Sequence, residues 1–180
     1  MSSEELLQVY DEQGNPTEPL PRSVVHQKLV QYWHGVVNVW LVNKDGELMV
    51  SKRSETVSGN PGKWQTYFGG HIPAGMTHIE TAVKELEEEI GLTINPDNLH
   101  IIDKGQFAND DHLHFYESYV LLFEGNPEDL NFADGEISEA KWMGMDEYQQ
   151  ARTDNPEQWC NACNEQNQQK IKEWLISVEV

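Results

Sequence analysis

The chain has 180 residues, a length typical of one domain, and its 31 acidic and 12 basic residues give a formal net charge of −19. Such a charge disfavours binding to nucleic acids or to an anionic membrane surface. Two cysteines exclude a disulfide framework, and no apolar stretch is long enough to span a membrane. Because residues 1–7 lack the basic and apolar regions of a signal peptide, we expect a soluble, cytoplasmic protein.

In the first part of the chain, apolar and β-branched runs predict strands, and clusters of Gly, Pro and Asn predict the turns between them. The predicted strands are Gln8–Asp11, Val36–Asn43, Glu47–Lys52 and Trp64–Phe68. Residues 44–46 close a hairpin between the second and third of these strands. A proline-rich connector precedes the hairpin, and a Gly-rich loop follows at 69–75.

A helix is predicted over Thr77–Ile90. Thr77 is a suitable N-cap, Glu80 completes a capping box, and Gly91 follows the last turn. Apolar residues at helical spacing are expected to face the core, and these are Ile79, Ala82, Val83, Leu86 and Ile90.

The second half of the chain contains three more predicted strands, at Ile101–Phe107, His114–Phe123 and Ile137–Met143. A short helix starts at Asp146, and a closing helix is predicted over Gln158–Ile176. Its candidate buried residues are Trp159, Cys163, Ile171, Trp174 and Leu175. This order of elements predicts a mixed sheet covered by helices on both faces.

Three glutamates share one face of the predicted helix at 77–90. Glu85, Glu88 and Glu89 stand at i, i+3 and i+4, which places neighbouring Cβ atoms about 5–6 Å apart. Like charges at this spacing destabilise an isolated helix, and bound divalent cations would relieve the repulsion. Since Mg²⁺ prefers oxygen ligands and completes its shell with water and substrate phosphate, the pattern indicates a metal–diphosphate site. The alternative is a solvated acidic helix face.

The segment from Gly70 to Leu92 resembles the signature of the Nudix hydrolase family, in which a glycine precedes a glutamate-rich helix at a fixed distance. The matching residues are Gly70, Lys84, Glu85, Leu86, Glu88, Glu89, Gly91 and Leu92. The resemblance implies an α+β fold, an α/β/α sandwich with a mixed central sheet and a loop-helix-loop motif. We expect one domain over 1–180, with an N-terminal extension at about 1–30 and a C-terminal helix at about 156–178.

The resemblance also implies divalent-metal-dependent hydrolysis of a diphosphate linkage in a nucleoside diphosphate joined to another group. Glu88 and Glu89, with the backbone carbonyl of Gly70, are then the expected ligands of Mg²⁺ or Mn²⁺, and Glu85 is either the third carboxylate ligand or the group that orients the water. The metal would polarise a phosphoryl oxygen and lower the pKa of the attacking water. Lys84 takes the place of an arginine that orients the first carboxylate in the family.

Other expected site residues lie outside the signature. Glu136 or Glu139, beside the last strand, is the candidate general base, and an exposed loop carboxylate is the alternative. Lys52 and Arg53 end a strand and are candidate phosphate contacts, or else a surface pair. His71, directly after Gly70, is a candidate substrate-binding residue.

The sequence departs from the family pattern at two positions. Met76 stands where the family usually has glutamate, and Lys84 keeps the charge of arginine but loses its planar fork. The two changes either compensate for each other or mark weakened chemistry, and Met76 alone is also compatible with loop variation. A catalytically weak module that binds a nucleotide or a protein is therefore the rival interpretation.

A third interpretation comes from the histidines. Isopentenyl-diphosphate isomerase, a branch of the same fold, also has an N-terminal extension and a histidine metal site, and His26, His34 and His71 fall in comparable regions. That enzyme uses a cysteine just before the Gly-His pair, where this chain has Gly69. Isomerase chemistry is therefore disfavoured, and substrate contacts or ordinary structural histidines are the alternatives.

The remaining features give weaker indications. Cys160 and Cys163 form a single C-x-x-C, which lacks the second pair of a structural zinc site, so we expect packing residues. The expected partner is a small-molecule diphosphate, and exposed strand edges would permit a homodimer.

Overall fold

The structure, a computed structural model, describes residues 4–27, 31–110, 112–160 and 164–178. Its strands are β1 (Leu6–Leu7), β2 (Val9–Tyr10), β3 (Leu20–Pro21), β4 (Trp33–Val42), β5 (Glu47–Arg53), β6 (Trp64–Gln65), β7 (His100–Ala108), β8 (Leu113–Leu122) and β9 (Ile137–Gly144). Its helices are α1 (Arg22–Val25), α2 (His78–Ile90), α3 (Met145–Asp154) and α4 (Glu165–Val178). Within these ranges, no helix combines the length and the apolar character needed to cross a membrane.

A seven-stranded mixed sheet forms the centre of the molecule. Its main path runs β6-β5-β4-β8-β7, while β2 pairs with β4 and β9 pairs with β5. Strands β4 and β8 are parallel, with His34 opposite His114 and Val42 opposite Leu122. The neighbouring pairs are antiparallel, so the predicted hairpin and the predicted mixed sheet are confirmed.

The core lies on both faces of the sheet, because successive side chains of β4 point to opposite sides. On one face Val39 is buried with Leu86 of α2. On the other face Trp40 is buried with Tyr148 of α3 and Ile171 of α4. The prediction of helices on both faces is therefore confirmed.

Helix α2 begins and ends as the sequence predicts. The Thr77 side chain accepts from the backbone N–H of Glu80, and the Glu80 carboxylate accepts from the backbone N–H of Thr77 at 2.8 Å. Gly91 ends the helix in the left-handed conformation, with φ 69°. Ala82, Leu86 and Ile90 are fully buried, and Ile79 and Val83 pack against them.

The closing helix begins later than predicted. Residues Pro156–Gln158 form a 3₁₀ turn, Trp159 bridges to Trp64 in parallel orientation, and α4 begins at Glu165. The helical pattern from 158 was misleading because the Trp159 backbone pairs with β6 instead of continuing a helix. Cys163 lies outside the described residues.

The N-terminal segment packs against the Gly-rich loop. Leu7, Val9 and Val25 are buried together in a small core of their own. The backbone N–H of Gln8 donates to the carbonyl oxygen of Ile72 at 2.9 Å, and that of Ala74 donates to Leu6 at 2.8 Å. The segment before β4 is thus held beside the loop that precedes α2.

Candidate active site

The Gly-rich loop runs along β4 before it turns into α2. The backbone N–H of Val37 donates to the carbonyl oxygen of Gly70 at 2.9 Å, and that of Ile72 donates to Gly35 at 3.0 Å. Gly69 has a φ of +140°, and a Cβ there would collide with the carbonyl oxygen of Val37. The chain therefore needs glycine at position 69 in order to lie this close to the strand.

The same loop rests on the carboxylates of α2. A Cβ on Gly70 would lie 2.9–3.0 Å from the carboxylate atoms of Glu85. The backbone N–H of Gly69 donates to Glu89 Oε2 at 3.2 Å. Glycine at both positions lets the loop backbone approach the glutamate face of the helix.

The glutamates open into an acidic cleft of about 500 Å³. The cleft is lined by Glu5, Arg22, Lys84, Glu85, Glu87, Glu88, Glu89, Ala133, Asp134 and Glu136. The fold thus brings the predicted residues of α2 together with Glu136, which precedes β9. Gly70 adjoins the cleft through its contact with Glu85.

Glu89 is buried and Glu85 is partly buried, and this burial disfavours their ionised forms. Glu89 is 5% exposed, and burial, reinforced by the charge of Glu85, raises its pKa well above the usual value. Burial also raises the pKa of Glu85 to about 7, with the charges of Glu88 and Glu136 adding to the effect and Lys84 opposing it. Buried carboxylates that repel one another are suited to a divalent cation, which compensates both their burial and their repulsion.

Lys84 forms ion pairs with Glu85, the first carboxylate of the cluster, which the arginine of the family is expected to orient, and more closely with Glu88. Its Nζ forms an ion pair with Glu88 and lies 3.8 Å from Glu85 Oε1. Partial burial acts to lower the pKa of Lys84, but these two carboxylates outweigh it and raise the pKa. The orienting charge is therefore present although the planar fork is not.

The other departure, Met76, packs against the apolar core on the α2 side of the sheet. Its side chain stabilises the start of the helix by burial of apolar surface. Met76 is therefore a packing residue, and the lining of the cleft does not include it among the described residues.

Three further predicted residues have contacts of their own outside the lining of the cleft. Arg53 donates from Nε to the carbonyl oxygen of Gly59 at 2.7 Å and from Nη1 to Gln65 at 3.2 Å, which ties it to the following loop. Lys52 of β5 is paired in register with Glu139 of β9. The described lining of the cleft includes none of Arg53, Lys52 and Glu139, and their assigned roles stay predictions.

A second cluster consists of His26, His34 and His71, and we call it the histidine cluster. One potential ligand atom from each of the three lies within 4.8 Å of the others. His26 Nε2 and His71 Nε2 are 3.1 Å apart. His34 Nδ1 lies 2.9 Å from the carbonyl oxygen of Tyr32, which assigns the proton to Nδ1 and leaves Nε2 with its lone pair.

His114 lies beside this cluster because β8 runs parallel to β4. Its ring centroid is 4.5 Å from that of His34, and the Nε2 atoms of both residues are buried without a hydrogen-bond partner among the described residues. Burial lowers the pKa of His71 to about 2 and that of His114 to about 4, with nearby imidazoles adding to the effect. Neutral imidazoles with unpaired lone pairs are the form that binds transition metals.

A pocket of about 440 Å³ opens between the histidine cluster and α4. His71 lines it, as do the loop residues Gly69 and Gly70. The polar side chains around it belong to Asn38, Asp103, His114, Tyr116, Ser118, Asn164, Gln166 and Asn167. The pocket therefore presents both hydrogen-bond donors and acceptors beside the Gly-rich loop, which also contacts Glu85 and Glu89.

Sequence reasoning missed Arg22 and Glu5, which line the cleft, and His114, which joins the histidine cluster. Arg22 follows a proline-rich connector and carries no motif. His114 is the first residue of the strand predicted over His114–Phe123. Its approach to His34 depends on the pairing of this strand with β4, which the sequence alone does not give.

Comparison with known proteins identifies the family. A model of the NUDIX domain matches residues 32–160. Nudix hydrolase 3 of Arabidopsis thaliana is 30% identical over 159 residues, which cover 81% of this chain and 20% of that protein. The isopentenyl-diphosphate Delta-isomerase of Cutibacterium acnes is 28% identical over 153 residues, 79% of this chain and 76% of that enzyme.

The chain spans about half the length of several bacterial Nudix hydrolases that it matches. The fold has a counterpart in a crystal structure of a protein from Deinococcus radiodurans, with a TM-score of 0.68 and 22% identity. The match covers 98% of this chain and 100% of that one. The resemblance first seen in residues 70–92 is confirmed by the domain match, which extends over most of the sequence, and the chain belongs to the Nudix family.

Proposed function

We propose that the chain hydrolyses a diphosphate linkage in a nucleoside diphosphate derivative, with Mg²⁺ or Mn²⁺ held by Glu85, Glu88 and Glu89. The observation that carries the proposal is the convergence of these carboxylates in one cleft, with Glu89 buried and Glu85 partly buried. A bound divalent cation would stabilise charge on the phosphoryl oxygens and acidify a water. The similarity to a named Nudix hydrolase supports the same reaction class.

The residues of the chain have separable roles in this proposal. Glu88 and Glu89 supply metal ligands, and Gly69 fixes the Glu89 carboxylate through its backbone N–H. Lys84 orients Glu85 and Glu88 through its two ion pairs. The carbonyl oxygen of Gly70 retains a second lone pair beyond the one used by Val37, and it is the backbone candidate for a further ligand.

Glu136 is the candidate general base of the cleft. It lines the same cavity as the glutamates of α2, and its charge contributes to the raised pKa values of Glu85 and Glu89. A carboxylate that lines the same cleft as the metal ligands is a candidate to accept a proton from a water. The arrangement favours Glu136 over Glu139.

The test is turnover of a panel of nucleoside diphosphate derivatives and nucleoside triphosphates with Mg²⁺ or Mn²⁺, measured as phosphate or pyrophosphate release. Glu89→Gln keeps an oxygen for the Gly69 N–H but removes the charge, so we expect turnover to fall by orders of magnitude while the fold survives. Glu173→Gln, on α4 away from the cleft, is the matched control and keeps full activity. Equal turnover in wild type and Glu89→Gln would end the proposal.

A binding module without turnover is the second candidate function. The features that favoured it were Met76 and Lys84, and their surroundings weaken the case. Lys84 forms ion pairs with both Glu85 and Glu88, and Met76 packs against the apolar core. Metal-dependent thermal stabilisation without turnover of any compound in the panel would support the binding module instead.

The histidine cluster supports a separate metal ion of borderline character, such as Zn²⁺ or Ni²⁺. The carrying observation is the buried Nε2 of His34, whose proton is assigned to Nδ1 and whose lone pair has no protein partner among the described residues. Metal analysis of the purified protein after dialysis tests this. We expect one tightly held transition ion, which is lost in His34→Ala and retained in His100→Ala, a histidine on β7 outside the cluster.

Isomerisation of a prenyl diphosphate is disfavoured by the Gly-rich loop that packs on the glutamates of α2. Gly69 occupies the position of the cysteine in the isomerase, and its backbone leaves no room for a side chain. We therefore expect no allylic interconversion, although several relatives, among them the Cutibacterium acnes enzyme, carry the name of that isomerase. A prenyl diphosphate belongs in the panel for this reason.

A further inference from the structure

Arg22 brings a positive charge into the acidic cleft from outside the family domain. It opens α1 in the N-terminal segment, whereas the NUDIX domain match begins at residue 32. Its side chain nevertheless lines the cleft together with the glutamates of α2. The domain shared with other Nudix proteins cannot supply this residue, so it is a contribution of the N-terminal segment.

Arg22 differs from Lys84, the other basic residue of the cleft, in the carboxylate with which it pairs. Among the described lining residues, the basic ones are Arg22 and Lys84, against seven carboxylates. Lys84 is engaged by Glu85 and Glu88, both expected metal ligands. Arg22 is instead paired with Glu5, at 2.7 Å from Nη1, and both side chains are 40% exposed or more.

The Arg22–Glu5 pair is exchangeable. An ion pair between two exposed side chains contributes little to stability, so a stronger anion readily displaces it. Nη2 of Arg22 lies 3.5 Å from His71 Nδ1, which points the guanidinium towards the loop after Gly70. A guanidinium has five N–H donors in a planar fork that matches two phosphate oxygens.

The backbone that carries Arg22 is firmly held. The N–H of Arg22 donates to the carbonyl oxygen of Glu5 at 2.9 Å, and Val25, one turn later, is 4% exposed in the small N-terminal core. The segment is further hydrogen-bonded to the Gly-rich loop through Gln8 and Ile72. A cation on a fixed backbone loses less entropy on binding a ligand than one on a flexible tail.

We propose that Arg22 binds a phosphate group of the substrate and exchanges Glu5 for it when the diphosphate enters the cleft. Metal ions on the glutamates and Arg22 would then neutralise the substrate from two sides. The inference rests on the proposed function, because it assumes that this cleft takes a diphosphate. It also explains how so acidic a cleft retains an anion in addition to its metal ions.

Binding of methylenediphosphonate, a diphosphate that cannot be hydrolysed, tests the role without turnover. Calorimetry in the presence of Mg²⁺ would compare wild type with Arg22→Ala, Arg22→Lys and Glu5→Gln. We expect Arg22→Ala to bind at least tenfold more weakly, because charged hydrogen bonds to phosphate are lost, and Arg22→Lys to be intermediate. Lys44→Ala, which removes an exposed cation in the β4–β5 turn, is the control and binds like wild type.

The Glu5→Gln variant distinguishes two roles of Arg22, which are phosphate binding and a structural ion pair with Glu5. If Arg22 binds phosphate, Glu5→Gln removes a competitor and the affinity for methylenediphosphonate stays equal or rises. If the pair merely holds the segment in place, Glu5→Gln weakens binding as much as Arg22→Ala does, which would overturn the proposal. Mg²⁺ affinity without the phosphonate is measured in parallel and is not expected to fall in Arg22→Ala, since a repelling charge has been removed.

The two proposals fail in different ways. Wild-type turnover that Glu89→Gln does not reduce would refute the proposed function. Turnover that depends on Glu89 while Arg22→Ala keeps the wild-type KM and the wild-type affinity for methylenediphosphonate would refute the role of Arg22 alone. Absence of methylenediphosphonate binding to wild type would also refute it.

Discussion

The backbone N–H of Gly69 donates to the carboxylate of Glu89, twenty residues later in the chain, at 3.2 Å. This hydrogen bond fixes the distance between the Gly-rich loop and the α2 face that carries the glutamates. A glycine-rich loop and a glutamate-rich helix are therefore one structural unit in this chain, and a change in either alters the geometry of the other.

Gly70→Ala should remove metal-dependent activity while leaving the fold intact. The added methyl group would lie 2.9–3.0 Å from the Glu85 carboxylate. This carboxylate would have to shift from its present position beside Glu88 and Glu89. We expect a loss of turnover of about 100-fold, as for small misplacements of catalytic groups, with a weaker Mg²⁺ affinity. Gly59→Ala, where a methyl group meets open space, is the control, and equal activity of the two variants would contradict the prediction.

Gly69→Cys should destabilise the protein and yield no isomerase. A side chain there meets the carbonyl oxygen of Val37 and needs a φ of +140° that other residues rarely adopt. The expected loss is about 1–3 kcal/mol or more in the free energy of unfolding, measured with denaturant. Conversion of isopentenyl to dimethylallyl diphosphate by this variant would show that the loop adapts more freely than the structure indicates.

The metal-free protein should lose stability through Glu85 as the pH rises. The pKa of Glu85 is about 7 in the folded chain, above its ordinary value, so the folded state binds the additional proton. Stability from this group is complete at low pH and is lost between about pH 4.5 and 7, because ionisation then opposes folding. Glu85→Gln should therefore match wild type at about pH 4 and exceed it by about 1–3 kcal/mol at pH 8 without metal.

Thermal unfolding in the presence of EDTA, with and without added Mg²⁺, measures this effect. Excess Mg²⁺ at pH 8 should reverse the order, because ionised Glu85 then binds the cation and the glutamine variant binds it less well. The comparison with Glu85→Gln also removes the contribution of the histidines. Their lowered pKa values act in the opposite direction, since that stability is lost as the pH falls.

Thr77→Ala should weaken the start of α2 without touching the cleft. The variant removes the Thr77 hydroxyl, which accepts from the backbone N–H of Glu80 and donates to the Glu80 carboxylate. The expected cost is about 1 kcal/mol, or roughly 2–4 °C in Tm for a chain of this size. Thr153→Ala on α3, whose hydroxyl bonds back to Gln149, should change stability by less than about 0.5 kcal/mol.

The parts of the site that the sequence predicted are local in the chain. Helix α2, its cap and its glutamate face follow from residues within four positions of one another, which is the range that helical periodicity reports. The fold class followed from the long signature between Gly70 and Leu92. In both cases the informative residues form one continuous segment of the chain, so the prediction needs no knowledge of how distant segments pack.

The parts that the sequence did not predict depend on tertiary pairing. His114 reaches His34 because β8 lies parallel to β4, and no local pattern contains that pairing. Arg22 reaches the cleft through the packing of the N-terminal segment on the loop at Ile72. The start of α4 was misplaced because Trp159 pairs with Trp64, a contact that competes with the helical tendency of the residues after it.

The parallel pairing of β4 with β8 also has a consequence for how the chain folds. Paired residues such as Asn38 and Ser118 are 80 positions apart, so the central strand gains its longest neighbour late in synthesis. Pairings of such long range form slowly, and until residue 122 emerges from the ribosome the apolar β4 segment has one side unprotected. Chains that stop short of β8 should therefore aggregate during expression, even when they contain the whole glutamate motif.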